Sequence, residues 1–139
     1  MRRRSLLAGD ALISPATQVL LGDSMGEMFA YYAACDCAFV GGSLLPLGGQ
    51  NLIEPAALGK PVLIGPHTFN FALVTEQAIE AGGAALVPDA DALMAQASSL
   101  LQDPVRLAAM GARALAFASQ HRGATPRTID AIKRLLPPG

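Results

Sequence analysis

Tryptophan is absent from these 139 residues, and five Phe and two Tyr are the whole aromatic supply, which leaves few rings on which bases could stack. An excess of either charge is missing too. Ten Lys and Arg face eleven Asp and Glu, for a formal net charge of −1, so no basic stripe suits a nucleic-acid backbone. No apolar run reaches the roughly 18–20 residues of a membrane span. The opening MRRRSLLAGDALISP has a positive head, but Gly9 and Asp10 cut its apolar stretch short of a signal-peptide core. Residues 1–16 read as a polar lead-in, or as the point where a longer protein was cut. Cysteine is scarce. Cys35 and Cys37 in ACDCAF have no neighbouring ligands to complete a zinc site, and read as reduced packing residues of a cytosolic protein. What is plentiful is apolar residues, 52% of the chain, enough for the core of one domain and too many for disorder.

Short apolar runs alternate with helical periods along the chain. TQVLLG (17–22), CAFVGG (37–42), PVLIG (61–65) and AALVP (84–88) are strands of the buried kind. Between them MGEMFAYYAACD (25–36) repeats Met25, Met28, Phe29 and Tyr32 at helical spacing. IEPAALG (53–59) is a brief helix, with Pro55 tolerated in its first turn and Gly59 as its stop. NFALVTEQAIEAGG (70–83) is a further helix. Three Ala/Leu-rich helices then end the chain, over 89–103, over 104–121 with Asp103 and Pro104 as cap and first residue, and from Thr125 with Pro126. Such alternation implies parallel strands joined by crossovers, an α/β Rossmann-like sheet with helices on both faces. Ligands bind such sheets beyond the carboxyl ends of the strands, and the loops leaving those ends hold the unusual residues.

The richest loop is GGSLLPLGGQNLIEP. Gly41, Gly42, Gly48 and Gly49 allow positive φ and close approach to a ligand, or serve only a tight turn. The following helix turns free N–H groups toward that space and favours an anion. Neither GxGxxG nor the Walker pattern is present, so a dinucleotide or a triphosphate is not indicated. Glu54 stands at the start of that helix. Its carboxylate could accept from both hydroxyls of a ribose, or be a solvated first-turn acid. Asn51 could cap the helix or donate to a ligand. In GDSMGEM, Gly26 and Glu27 sit where the first strand turns into a helix, and backbone amides there could meet a base edge or a phosphate. Glu27 could equally close a capping box with Ser24. His67 reads as a surface hydrogen-bonding residue, and His121 as the end of a helix.

In order and spacing, GD-S-MGE, FVGGSL and GG-N--EPA--GKPV--GPH--NF make the stretch from about Gln18 to Ala81 resemble the donor half of the 3-deoxy-D-manno-octulosonic acid (Kdo) transferases of Gram-negative bacteria. The resemblance implies the C-terminal half of a two-domain GT-B glycosyltransferase, truncated at its N-terminus. Residues 17–139 would be a partial CMP-Kdo binding domain. The parent enzyme would transfer Kdo, with inversion and without a metal or other cofactor, to a lipid A precursor at the cytoplasmic face of the inner membrane. The CMP contacts carried over are Met25, Gly26 and Glu27 in the first loop. In the second they are Asn51, Leu52, Ile53 and Glu54, with Glu54 on the ribose. The family's catalytic base lies in an N-terminal domain that has no counterpart here, so the chain alone is expected to be inactive. An open sheet without its first units would expose an edge and invite self-association. The competing expectation is a non-catalytic nucleotide-binding module, or half of a UDP-sugar transferase or epimerase.

Overall fold

The computed structural model describes residues 1–9, 11–120 and 124–135. Two parallel sheets form among them. Strands β1 (Arg2–Arg3) and β2 (Leu20–Leu21) pair with each other, and β3 (Ala38–Val40), β4 (Val62–Ile64) and β5 (Ala84–Leu86) pair in the order β3-β4-β5. Helices α1 (Met28–Ala34), α2 (Ile53–Ala57) and α3 (Ala72–Glu80) lie between the strands, and α4 (Ala90–Leu101), α5 (Pro104–Gln120) and α6 (Ala124–Leu135) follow them. This is the expected α/β arrangement of parallel strands and crossover helices, with helices on both sides. Among the described residues no helix is long and apolar enough to cross a membrane.

The larger sheet is buried at its centre, and Phe39 of β3 and Leu86 of β5 stay exposed. Every residue of β4 is buried, as a central parallel strand requires. On one side Val40, Val62, Ile64 and Ala84 pack with Leu52 and Ala56 of the α2 region, Ala78 of α3, and Ala114, Phe117 and Ala118 of α5. Asp103 accepts from the amide of Arg106 at 2.9 Å and starts α5 at Pro104 as expected. Helix α2 ends in a Schellman motif. Gly59, at φ 68°, donates to Ala56 and Lys60 donates to Pro55, at 2.9 and 3.1 Å.

Three expectations need correction. The run 17–22 is not a buried strand of the main sheet. Only Leu20 and Leu21 are extended, both exposed, and their partner is Arg2–Arg3. An apolar run is buried only where a second layer covers it, and among the described residues Leu20 and Leu21 stay exposed. The helix expected from Met25 begins at Met28, because Gly26 adopts φ 80° and cannot continue a right-handed helix. Ser24 does not cap it either. The N-cap residue is Glu27, with no side-chain bond to the helix amides. His121 and the side chains of the Thr125–Pro126 cap lie outside the described residues.

Candidate functional site

The glycine loop after β3 is tied to the loop after β4. Ser43, fully buried, donates its hydroxyl to the Val40 carbonyl at 2.5 Å and accepts from the Gly65 amide at 2.8 Å. Its carbonyl accepts from the amide of His67 at 2.9 Å. A Cβ on Gly65 would run into that same carbonyl, so the two loops touch only because residue 65 is glycine. Gly42 and Gly49, both at positive φ, close the loop through a 3.2 Å backbone bond. The turn role of these glycines is therefore real, and Gly41 remains beside open space. His67 is held by its backbone and does not line the cavity described below.

Helix α2 grows out of this loop with a buried anchor. Leu52 is fully buried and Ile53 packs on the core, which fixes the angle at which the next residue leaves the sheet. Asn51 bonds to the start of the helix on one side and to Glu54 on the other. Its Oδ1 accepts from the Ile53 amide at 3.0 Å, and its Nδ2 donates to Glu54 Oε1 at 3.2 Å. Glu54 is half-buried, and its other oxygen has no hydrogen-bond partner among the described residues.

That carboxylate faces an open cavity of about 640 Å³, within the usual range for small-molecule sites. Ser24, Gly26, Gly41, Gln50, Asn51 and Glu54 supply its polar side, and Met25, Met28, Tyr32 and Phe39 its apolar wall. Here the exposure of large apolar side chains has a use: Met25 is 97% exposed and Met28 51%. Burial and then the charge of Glu54 push the Tyr32 hydroxyl above its ordinary pKa. The α1 wall is held to the next layer by Lys60, whose ammonium donates to the Ala33 carbonyl at 3.0 Å, near the negative end of α1.

The seven residues singled out from sequence divide accordingly. Met25, Gly26, Asn51 and Glu54 meet around one cavity. Leu52 and Ile53 turn their side chains to the core and offer only backbone, and the Ile53 amide is already taken by Asn51. Glu27 points elsewhere. Its carboxylate accepts from Arg4 Nη2 at 2.8 Å, from the Ser24 hydroxyl, and from the Tyr31 hydroxyl at 3.3 Å. Those bonds, Ser24 first and then Arg4, hold its pKa below the ordinary carboxylate range.

Nearby, Asp23 accepts from the amide and hydroxyl of Ser5 at 2.8 and 2.7 Å and from Arg3 at 2.8 Å. The Ser5 amide contributes most to lowering its pKa to about 2. Burial pushes both cysteine thiols up, and Cys35 donates to the Tyr32 carbonyl at 3.3 Å. That is packing rather than reactivity. Sequence reading missed Met28, Tyr32, Phe39 and Gln50 as lining residues. Tyr32 was discoverable, since it stands one helical turn from Met28.

An open parallel sheet with its cavity beyond the strand ends is the architecture of the C-terminal half of a GT-B glycosyltransferase. Within that class the chain is homologous to the 3-deoxy-D-manno-octulosonic acid transferases. It is 52% identical over 134 residues to that enzyme of Bordetella pertussis, covering 96% of this chain and 31% of the relative. The Haemophilus influenzae enzyme is 41% identical over 121 residues, or 86% of this chain and 28% of the relative. The chain thus spans about a third of the length of these curated relatives. Among solved structures it is similar to the C-terminal CMP-Kdo binding domain of WaaA from Acinetobacter baumannii. The TM-score is 0.76 at 35% identity, over 84% of this chain and 59% of that one. No family model matches the chain.

Proposed function

We propose that this chain is the donor-binding part of a glycosyltransferase that moves Kdo from CMP-Kdo to a lipid A precursor. The parent enzyme would work at the cytoplasmic face of the inner membrane. The observation that carries the reading is Glu54, fixed on one oxygen by Asn51 and open on the other, at the edge of a cavity of nucleotide size. A carboxylate so held can take the two hydroxyls of a ribose. Met25, Met28, Tyr32 and Phe39 supply an apolar wall for the base, and Tyr32 adds a hydroxyl. Kinship with Kdo transferases and likeness to a CMP-Kdo binding domain favour cytidine over uridine nucleotides.

Calorimetric titration of the chain with CMP, UDP and UMP tests this. CMP binds most tightly, and Glu54→Gln weakens it by roughly tenfold or more, the size of a charge-assisted hydrogen bond. A preference for UDP would replace the reading with that of a UDP-sugar enzyme. The chain by itself does not catalyse transfer. Among the described residues the cavity holds one carboxylate, Glu54, and with the ribose assigned to it none is left there to take the acceptor's proton. A radiolabelled assay with the purified chain gives no transferred Kdo, and transfer above background would refute that.

A further inference from the structure

The tip of the GDSMGE turn has little packing of its own. Met25 is almost fully exposed, and no atom lies within 4 Å of where a Cβ on Gly26 would stand. Yet these two residues form one edge of the cavity. What fixes them lies on either side. Ser24 and Glu27 meet across the tip through their side chains, and the Tyr31 hydroxyl joins Ser24 at 2.7 Å. The Tyr31 ring in turn lies against Gly22, in space that a Cβ there would need. Arg4, 23 residues earlier, closes the network onto Glu27 at 2.8 Å while its other nitrogen donates to the Leu7 carbonyl at 3.3 Å.

We propose that the side chains of Arg4 and Glu27 are positioning groups, a brace that sets the place of Met25 and Gly26 at the cavity edge without their charged ends reaching the nucleotide. This rests on the nucleotide reading of that cavity. An ion pair left in solvent contributes little. Here the side chains of Arg4 and Glu27 are only 29% and 33% exposed, and the carboxylate is shared with two hydroxyls, so the groups act as a network. The brace gives the arginine-rich opening a task at the site without bringing it to the ligand. It also gives the Glu27 carboxylate the task of supporting the ligand's contacts, leaving its backbone amide for the ligand.

The test has two arms. In titrations with CMP, Arg4→Gln weakens binding about fivefold, and Arg4→Lys recovers most of the loss. Glu27→Gln has the same effect, and the double variant is no worse than either single one, as coupled partners require. Without nucleotide, amide exchange at residues 25–27 is about tenfold faster in Arg4→Gln, while the α2 amides are unchanged. Unaltered exchange at 25–27 overturns the brace, whatever the nucleotide does. Failure of the unmodified chain to bind CMP defeats the donor reading instead, and the exchange arm still decides the brace. Should Arg4→Gln fail to fold, Glu27→Gln carries both measurements.

Discussion

Strands β4 and β2 are built from the same kind of residue and end in opposite surroundings. Val62, Leu63 and Ile64 are 0–1% exposed, whereas Leu20 and Leu21 keep 37% and 41% of their surface in solvent. The first trio has a strand on each side and helices over it. The second pair has one neighbour strand, made of two exposed arginines. Hydrophobic stabilisation follows the area removed from water, about 25 cal/mol per Å², so similar side chains contribute very different amounts at the two places. The N-terminal sheet leans on polar bonds instead, those of Asp23 and Glu27.

The contrast can be broken by substitution. Leu63→Ala, at a fully buried site, destabilises the chain by about 2–5 kcal/mol in urea unfolding, and Leu20→Ala by less than about 1 kcal/mol. Equal costs would mean that the two sheets share one core. A smaller effect is expected where the main sheet's loops meet. Gly65→Ala forces a methyl toward the Ser43 carbonyl and costs roughly 1–3 kcal/mol. An unchanged midpoint would show that the two loops part without penalty.

Acid sharpens the contrast without mutation. The Asp23 carboxyl titrates at about 2 in the folded chain, below its ordinary value of about 3.9. A depressed value means the clasp stabilises the fold above the ordinary pKa and loses that contribution as pH falls toward 2. Glu27, also lowered, acts in the same sense. Amide exchange at residues 2–5 and 20–27 therefore quickens between about pH 4 and 2, while β4 stays protected. Simultaneous loss of both regions would contradict two separately held sheets.

The same division explains what could be read from the sequence. Strands β3, β4 and β5 were legible because an apolar run between glycine-marked loops has one good destination in a parallel sheet. The place of Glu54 at the cavity was legible because it needs only local facts, a helix start and a flanking Asn. Strand β1 was not, since two arginines carry no period and their partner lies 18 residues away. The fate of Glu27 was hidden for a related reason. Ser-x-x-Glu is a local signal for a cap, but Arg4 and Tyr31 compete for the same carboxylate, and no pattern within one turn reveals them. Leu52 shows the limit of family resemblance: matching a motif position does not tell whether a residue offers its side chain or its backbone.

Gly59 and Gly111 bring the short helix under Glu54 into direct backbone contact with α5. A methyl at 111 would strike the Gly59 carbonyl. The side chain missing midway along α5 therefore acts as a depth gauge for the carboxylate, while Gly59 is demanded by its own φ of 68°. A methyl at 111 would lift the short helix like a shim. The cavity's rim would then shift through a spot that does not line it.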